Sequence, residues 1–332
     1  MSFEIALAPM IDVTTANYRK LVRMSSKTVV MFTEMIVSST VVHIAEDKLL
    51  ERLGEYDDNT VVQVGGSDPI EISRAIEILR KLGYTMFNLN VGCPSSRVQK
   101  GCFGAVLMKD KCLVGRIVNQ VYQDTGIILS LKIRTGVDEL DTYDFFKDFV
   151  EYIVNGTPAS VFYVHARKCW LKGLSPKQNR NVPELNYDFV HRIKSEMPNI
   201  KFILNGGIKT FEDVFKHSNL DGVMIGRAAI DDIFIFYKLE RSLELSKVGD
   251  KTECSLGYKD DNDNFLYNIN TITKYLISFG PSTSLNYKII MPLQNIMFGR
   301  KGCKQYKIEL AEQLKRKVTV SEFLFNIYSF IY

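Results

Sequence analysis

The chain has 332 residues, 46% of them apolar and 24% charged, with a net charge of +4. That is enough apolar surface for a large buried core, and too little positive charge to demand a polyanionic partner on its own. No apolar run approaches the ~20 residues of a membrane-spanning helix, which excludes an integral helical membrane protein. The strand-like run Ile5–Ala8 starts almost at Met1 and leaves no room for a signal peptide, so a soluble, cytoplasmic protein without membrane attachment is expected, with an organellar location open if a leader was removed. The cysteines Cys93, Cys102, Cys112, Cys169, Cys254 and Cys303 include no C-x-x-C pair. Neither a disulfide framework nor a zinc site is therefore expected, and a reducing compartment suits them.

Along the chain, eight strand-length apolar runs recur: Ile5–Ala8, Val29–Thr33, Val61–Val64, Met86–Asn90, Ile127–Lys132, Ser160–Val164, Lys201–Leu204 and Asp221–Ile225. Each ends in a polar or glycine-containing corner and leads into an amphipathic segment of helix length. Eight such repeats match a (β/α)8 TIM barrel better than a doubly wound sheet. Helix starts agree: Ser67-Asp68-Pro69 puts a capping side chain before a first-turn proline, and Thr210-Phe211-Glu212-Asp213 has the capping-box pattern. The stretch Ser246–Asn264 is polar, and its acidic run Asp260–Asn264 lacks the glycine and closing glutamate of a calcium loop, so it reads as a solvated linker. Helical periodicity without strands returns from Phe265. The expected organisation is a catalytic barrel over 1–245, a linker over 246–264 and a small all-helical C-terminal domain over 265–332. The apolar tail Phe323–Tyr332 is too short to cross a bilayer and reads as a helix docked on the body. Between Gly299 and Lys317, seven basic residues face only Glu309 and Glu312, so a phosphate-bearing partner would be met at this end.

In a parallel α/β barrel, chemistry gathers at the C-terminal ends of the strands. Asn88-Leu89-Asn90-Val91-Gly92-Cys93-Pro94 puts a cysteine on a glycine–proline turn just past the fourth run. Cysteine alone decides little, because it is more often a small buried hydrophobe than a catalyst. Other polar groups converge on the same rim: Ala8-Pro9-Met10, Gln63, Lys132 with Arg134, His165-Ala166-Arg167-Lys168, Asn205-Gly206-Gly207 and Gly226-Arg227. Glycine corners after the seventh and eighth strands let backbone N–H groups approach a phosphate, and Arg227 adds charge. Lys132 ends a buried run, where a cation is costly unless it faces an anion; an electron-rich cofactor ring would explain it. His165 suits a satisfied buried histidine as well as a ligand contact, and Arg167 and Lys168 suit an exposed basic pair. With no second histidine nearby and no carboxylate cluster, no metal site is expected.

These motifs, together with Gln63-Val64-Gly65-Gly66-Ser67, Lys132-Ile133-Arg134-Thr135-Gly136 and Asp221-Gly222-Val223-Met224-Ile225-Gly226-Arg227, resemble the flavin-dependent tRNA-dihydrouridine synthases, in order through the whole barrel. The segment from His165 to Arg180 is similar to the A-type, tRNA-dihydrouridine(20/20a) synthases, which act on the tRNA D-loop. The resemblance implies that Pro9, Met10, Gln63, Lys132 and His165 contact FMN and that Asn205, Gly206, Gly207, Gly226 and Arg227 bind its phosphate. It implies Cys93 as proton donor, and Asn90, Lys177, Arg180, Lys304 and Lys307 as tRNA contacts. The C-terminal region matches through Gly302 and the basic spacing after it.

The implied reaction is reduction of a uracil C5–C6 bond in tRNA with NADPH or NADH as electron source. It needs a hydride at C6, which flavin chemistry supplies, and an acid at C5; a thiol of ordinary pKa, about 8.5, stays protonated at neutral pH unless a nearby cation ionises it. The target base must be exposed before a rim pocket can take it, which a loop nucleotide permits. No obligate protein partner is implied. The main rival is an FMN-dependent dehydrogenase acting on a free pyrimidine or another small unsaturated molecule, which has no use for a basic helical domain. A non-catalytic RNA-binding barrel would have no use for Cys93 and Lys132.

Overall fold

The computed structural model describes residues 3–247 and 261–331. Nine parallel strand segments form one closed sheet: β1 Glu4–Leu7, β2 Val30–Phe32, β3 Ile36–Val37, β4 Thr60–Gly65, β5 Met86–Asn90, β6 Ser130–Val137, β7 Val161–Cys169, β8 Lys201–Asn205 and β9 Gly222–Ile225. β1 pairs with both β2 and β9, and β2 with β4, so the sheet closes on itself. β2 and β3 are two pieces of one stave, since both pair with β4. In the gap between them the Thr33 hydroxyl accepts from the Gln63 N–H at 3.1 Å, a side chain standing in for the missing ladder bond. The barrel is thus eight-stranded and parallel, as the alternation of runs requires.

The barrel interior is filled by Ala6, Ala8, Phe32, Val61, Tyr163, Ile203 and Met224. Small residues on β1 leave room for Phe32 and Tyr163, whose rings meet edge to face at 4.8 Å. The Tyr163 hydroxyl donates to Glu4 at 2.7 Å, and Glu4 also pairs with Lys201 at 2.6 Å. The N-terminal end of the barrel is therefore closed by a satisfied polar cluster, leaving the other end for ligands.

Two strands differ from their expected bounds by more than one residue at an end. The run Ile127–Lys132 becomes β6 only from Ser130, because Ile128 is 51% exposed and lies in the connection after the helix that Gly126 ends at φ +70°. β6 and β7 then run past the barrel, with an irregular register between Arg134 and Gly136. A Cβ at Gly136 would lie 2.6 Å from the Leu140 carbonyl, so this extension needs glycine. The helix caps agree with the sequence: Asp68 accepts from Ile70 and Glu71 ahead of Pro69–Lys81, and Thr210 with Asp213 forms the capping box of Phe211–Lys216.

The described chain divides into two compact units: the segment up to Asp12 with Val30–Gly226, and Val13–Val29 with the chain from Arg227 onward. The first is the barrel with its intervening helices. In the second, helix Ala16–Ser25 packs against helix Asp261–Ile277, and the Tyr267 hydroxyl donates to the Ser25 carbonyl at 3.0 Å. Glu240, on helix Ile235–Lys247, accepts from the Ser26 hydroxyl at 2.7 Å and the Thr28 N–H at 2.6 Å. The C-terminal helix Val320–Ile331 buries Val320 and Phe323 and packs on Asp261–Ile277. Asp261–Asn264 of the acidic run lie in that helix's first turn, whereas 248–260, with most of the expected linker and Cys254, are outside the described residues. No helix among the described residues is long and apolar enough to cross a membrane.

Candidate active site

Cys93 sits three residues past β5, half-buried, on a turn held from three directions. The Asn90 carboxamide oxygen accepts from the Cys93 N–H at 2.9 Å and the Gly92 N–H at 3.2 Å. The Cys93 carbonyl accepts from the Ala105 N–H at 2.9 Å. Gly104 makes that approach possible: its φ is +72°, and a Cβ there would lie 2.5 Å from the Cys93 carbonyl. From the third side, Arg134 Nε donates to the Gly92 carbonyl at 2.7 Å. None of these bonds involves the thiol, which the turn presents without using.

Arg134 is 4% exposed, and its other end donates to the carbonyls of Lys168 at 3.0 Å and Asn179 at 3.2 Å. Asn179 is itself buried, donating to the Trp170 and Leu174 carbonyls at 2.9 and 3.2 Å and accepting from the Trp170 N–H at 2.8 Å. Gln99 Nε2 completes the clasp, reaching Pro94 O at 2.8 Å and Leu171 O at 2.7 Å. The 170–181 loop, which carries the exposed Lys177 and Arg180, is thereby bonded to the Cys93 turn. Burial lowers the pKa of the Arg134 guanidinium from its usual value. The sequence set Arg134 among the polar groups of the rim and in the Lys132–Gly136 motif without assigning it a task, and singled out Asn179 not at all.

Lys132, on β6, is half-buried and donates to Asn205 Oδ1 at 3.0 Å; Asn205 Nδ2 in turn donates to the Met224 carbonyl at 2.8 Å. Burial pushes the Lys132 ammonium down to about 7, the positive charge of Arg134 adds to the shift, and Cys93 opposes it. Among the described residues, the charges that shift Lys132 are therefore those of Arg134 and Cys93, and none is a carboxylate. His165 is in register with Asn205, and its ring lies where a Cβ on Gly206 would come within 2.9 Å. Gly206 and Gly207 have φ of +114° and +77°, and the Tyr187 hydroxyl donates to the Gly206 carbonyl at 2.9 Å. A side chain at Gly207 would collide with that same hydroxyl, so both glycines are required by the corner. The next corner is open: a Cβ at Gly226 would meet only Ala8 at 3.7 Å and Met10 at 3.8 Å, which sets it beside the end of β1 where Pro9 and Met10 lie.

Gln63 is 1% exposed in β4 and joins Asn88 and Asn90 through its amide, both at 2.8 Å. The structure so brings together Gln63, Asn90 and Cys93, Lys132 with Asn205, and His165 with Gly206. In the second unit, Arg227 opens helix Arg227–Asp231, and Lys304 and Lys307 are exposed on helix Cys303–Arg316, Lys307 donating to Asn295 Oδ1 at 3.0 Å. Gly302, at φ +85°, is the N-cap of that helix.

The amino-acid sequence matches the family model described as dihydrouridine synthase (Dus) over residues 6–324. It is 39% identical over 239 residues to a tRNA-dihydrouridine(20/20a) synthase of Pasteurella multocida, covering 72% of each chain. Enzymes of the same name from Xanthomonas campestris and Escherichia coli are 40% and 37% identical over 243 residues, covering 73% of this chain and 72% and 73% of theirs. Since the matched region spans the cysteine turn, the lysine strand and the glycine corners alike, the chain belongs to the dihydrouridine synthase family.

Proposed function

We propose that this dihydrouridine synthase reduces uridines 20 and 20a of the tRNA D-loop, with FMN as its flavin and NADPH or NADH as reductant. The observation that carries the reading is a cysteine turn fixed through its backbone, next to a half-buried lysine on which, among the described residues, the named charges are those of Arg134 and Cys93 and none is a carboxylate. A cation in that setting suits an electron-rich, anionic ring, and the positive-φ glycine corner beside Asn205, with the open corner at Gly226, suits a phosphate. The residues therefore fit a phosphorylated flavin. When bound, that group supplies the hydride chemistry at uracil C6.

The chain's own residues do the rest. Lys132, steadied by Asn205, would stabilise negative charge on the ring, and Gln63, Pro9, Met10 and His165 would hold and orient it. Asn205, Gly206, Gly207, Gly226 and, by its place in the chain, Arg227 would take the phosphate. Cys93 would hold the proton for C5, its thiol positioned by Asn90 and Arg134. Asn90 keeps one amide proton beyond its bond to Gln63, a donor for a uracil edge. Lys177 and Arg180 would contact the tRNA backbone from a loop fixed to the same turn, and the helical region from 265 onward would add Lys304 and Lys307. Mass spectrometry of tRNA from cells lacking the protein is the direct test: a D-loop fragment should lose the mass of two hydrogens, and an unchanged fragment would overturn the reading.

The small-substrate rival makes a different demand of the C-terminal region. Lysines that neutralise phosphates release counterions, so Lys304→Ala with Lys307→Ala should weaken tRNA binding and flatten its salt dependence by up to about two units of slope. Flavin content and the rate of flavin reduction by NADPH should stay at the parent values. A tRNA dissociation constant that is unaltered across a salt series would remove this helix from the tRNA site and favour the small substrate.

A further inference from the structure

Four buried or half-buried polar side chains connect the Cys93 turn to β6 in a single directed chain. Ser130, on β6, gives its one hydroxyl proton to the Phe87 carbonyl at 3.1 Å, so towards Asn88 it can only accept. Asn88 must then turn its Nδ2 to Ser130, at 3.0 Å, and its Oδ1 to Gln63 Nε2, at 2.8 Å. Gln63 is left presenting Oε1 to Asn90 Nδ2 at 2.8 Å, and Asn90 presents Oδ1 to the backbone N–H groups of Gly92 and Cys93. Those two N–H groups can only donate. Reversing any amide would put N–H against N–H at one of its bonds, in a place where Asn88 and Gln63 are almost wholly out of water.

We propose that Asn88 and Ser130 are positioning residues, which anchor the far end of the relay, hold the Gln63 and Asn90 amides in the sense that the Gly92 and Cys93 N–H groups require, and through them steady the turn that carries Cys93. Neither touches the thiol. They act through two intermediate amides, across the β4–β5–β6 pairing in which Asn88 lies in register with both Gln63 and Ser130. The register explains why the relay takes this path: three neighbouring strands place three polar side chains in a row, and the next one along, Asn90, sits where β5 ends. Gln63 keeps one Nε2 proton and one Oε1 lone pair, so the relay also determines which group it offers to a cofactor. The inference rests on the proposed function only in treating Cys93 as the acid.

The test compares Ser130→Val with Ser130→Thr in the flavin-loaded enzyme. These side chains have nearly the same shape, both suit a strand, and they differ in the hydroxyl. Turnover on tRNA, flavin reduction by NADPH, and alkylation of Cys93 by iodoacetamide, mapped by mass spectrometry against the exposed Cys102 and Cys112, are measured on each. Ser130→Val should lose about tenfold in kcat with KM unchanged, the scale of one lost buried hydrogen bond, and should shift the Cys93 alkylation rate severalfold relative to Cys102. Ser130→Thr should stay within about twofold of the parent in both. Equal alkylation ratios and equal kcat in the two variants would overturn the relay. If Ser130→Val does not fold, the smaller Ser130→Ala makes the same contrast with Ser130→Thr, since it too lacks the hydroxyl. A Cys93→Ala enzyme with normal turnover would defeat the acid assignment while leaving the alkylation contrast standing, so the two failures are distinguishable.

Discussion

Replacing Cys93 by alanine should lower uridine reduction in tRNA by about 10²–10⁴-fold, the range of a positioned general acid, while NADPH still reduces the bound flavin at the parent rate. The two half-reactions separate because electron uptake resides in the cofactor and only protonation of C5 needs the thiol. The structure makes the test clean. The bonds that shape the turn use backbone atoms of Gly92, Cys93 and Pro94, from Asn90, Arg134, Ala105 and Gln99, so the alanine variant keeps its turn and loses only sulfur. Cys93 enters the electrostatics of both Lys132 and Arg134, so a thiolate left after proton donation would meet two positive charges. Anaerobic stopped-flow absorbance of the flavin, followed by quantification of dihydrouridine, reads both steps. Unimpaired turnover would take Cys93 out of the mechanism, and loss of both steps would make its role structural.

What the sequence made legible, it made legible through period and position. Met86–Asn90 was readable to the residue because an apolar run ends there in a polar corner, and Cys93, Lys132, His165 and the glycines follow as rim residues of a barrel. Ile127–Lys132 was readable as a strand but not in its bounds, since Ile127 and Ile128 are apolar without being in the sheet, and the extension of β6 depends on its partner β7. Arg134 and Asn179 were illegible for another reason. Their roles come from three carbonyls, those of Gly92, Lys168 and Asn179, that meet only once the loops have folded, and no spacing in the sequence encodes such a convergence. The relay through Asn88 and Ser130 depends likewise on strand register. Helix Ala16–Ser25 has the period of any barrel helix, and nothing in it announces that it packs with Asp261–Ile277.

Lys132→Met should stabilise the flavin-free protein near pH 7 and yet weaken flavin binding. The reason is the cost of a desolvated ammonium on which, among the described residues, the named charges are those of Arg134 and Cys93 and none is a carboxylate. Its folded-state pKa, about 7, lies below the 10.5 of an exposed lysine, so between these values the unfolded chain holds more protons than the folded one. Stability of the parent therefore rises with pH through that window, and the full cost of burying the charge is felt below it, at about 1.4 kcal/mol per pKa unit. Methionine titrates nowhere, so the variant's advantage in denaturant midpoint should be greatest at and below pH 7 and shrink steadily towards pH 10. Some of the gain is offset by leaving Asn205 Oδ1 without its lysine donor. With flavin present the ranking should invert, because an anionic ring would favour the charged lysine and return in binding what the empty site loses in stability. Urea unfolding at a series of pH values, with and without FMN, checks both halves. A stability difference that does not change with pH would mean that Lys132 is charged at no cost in the folded protein, and an FMN affinity untouched by the substitution would remove it from the flavin site.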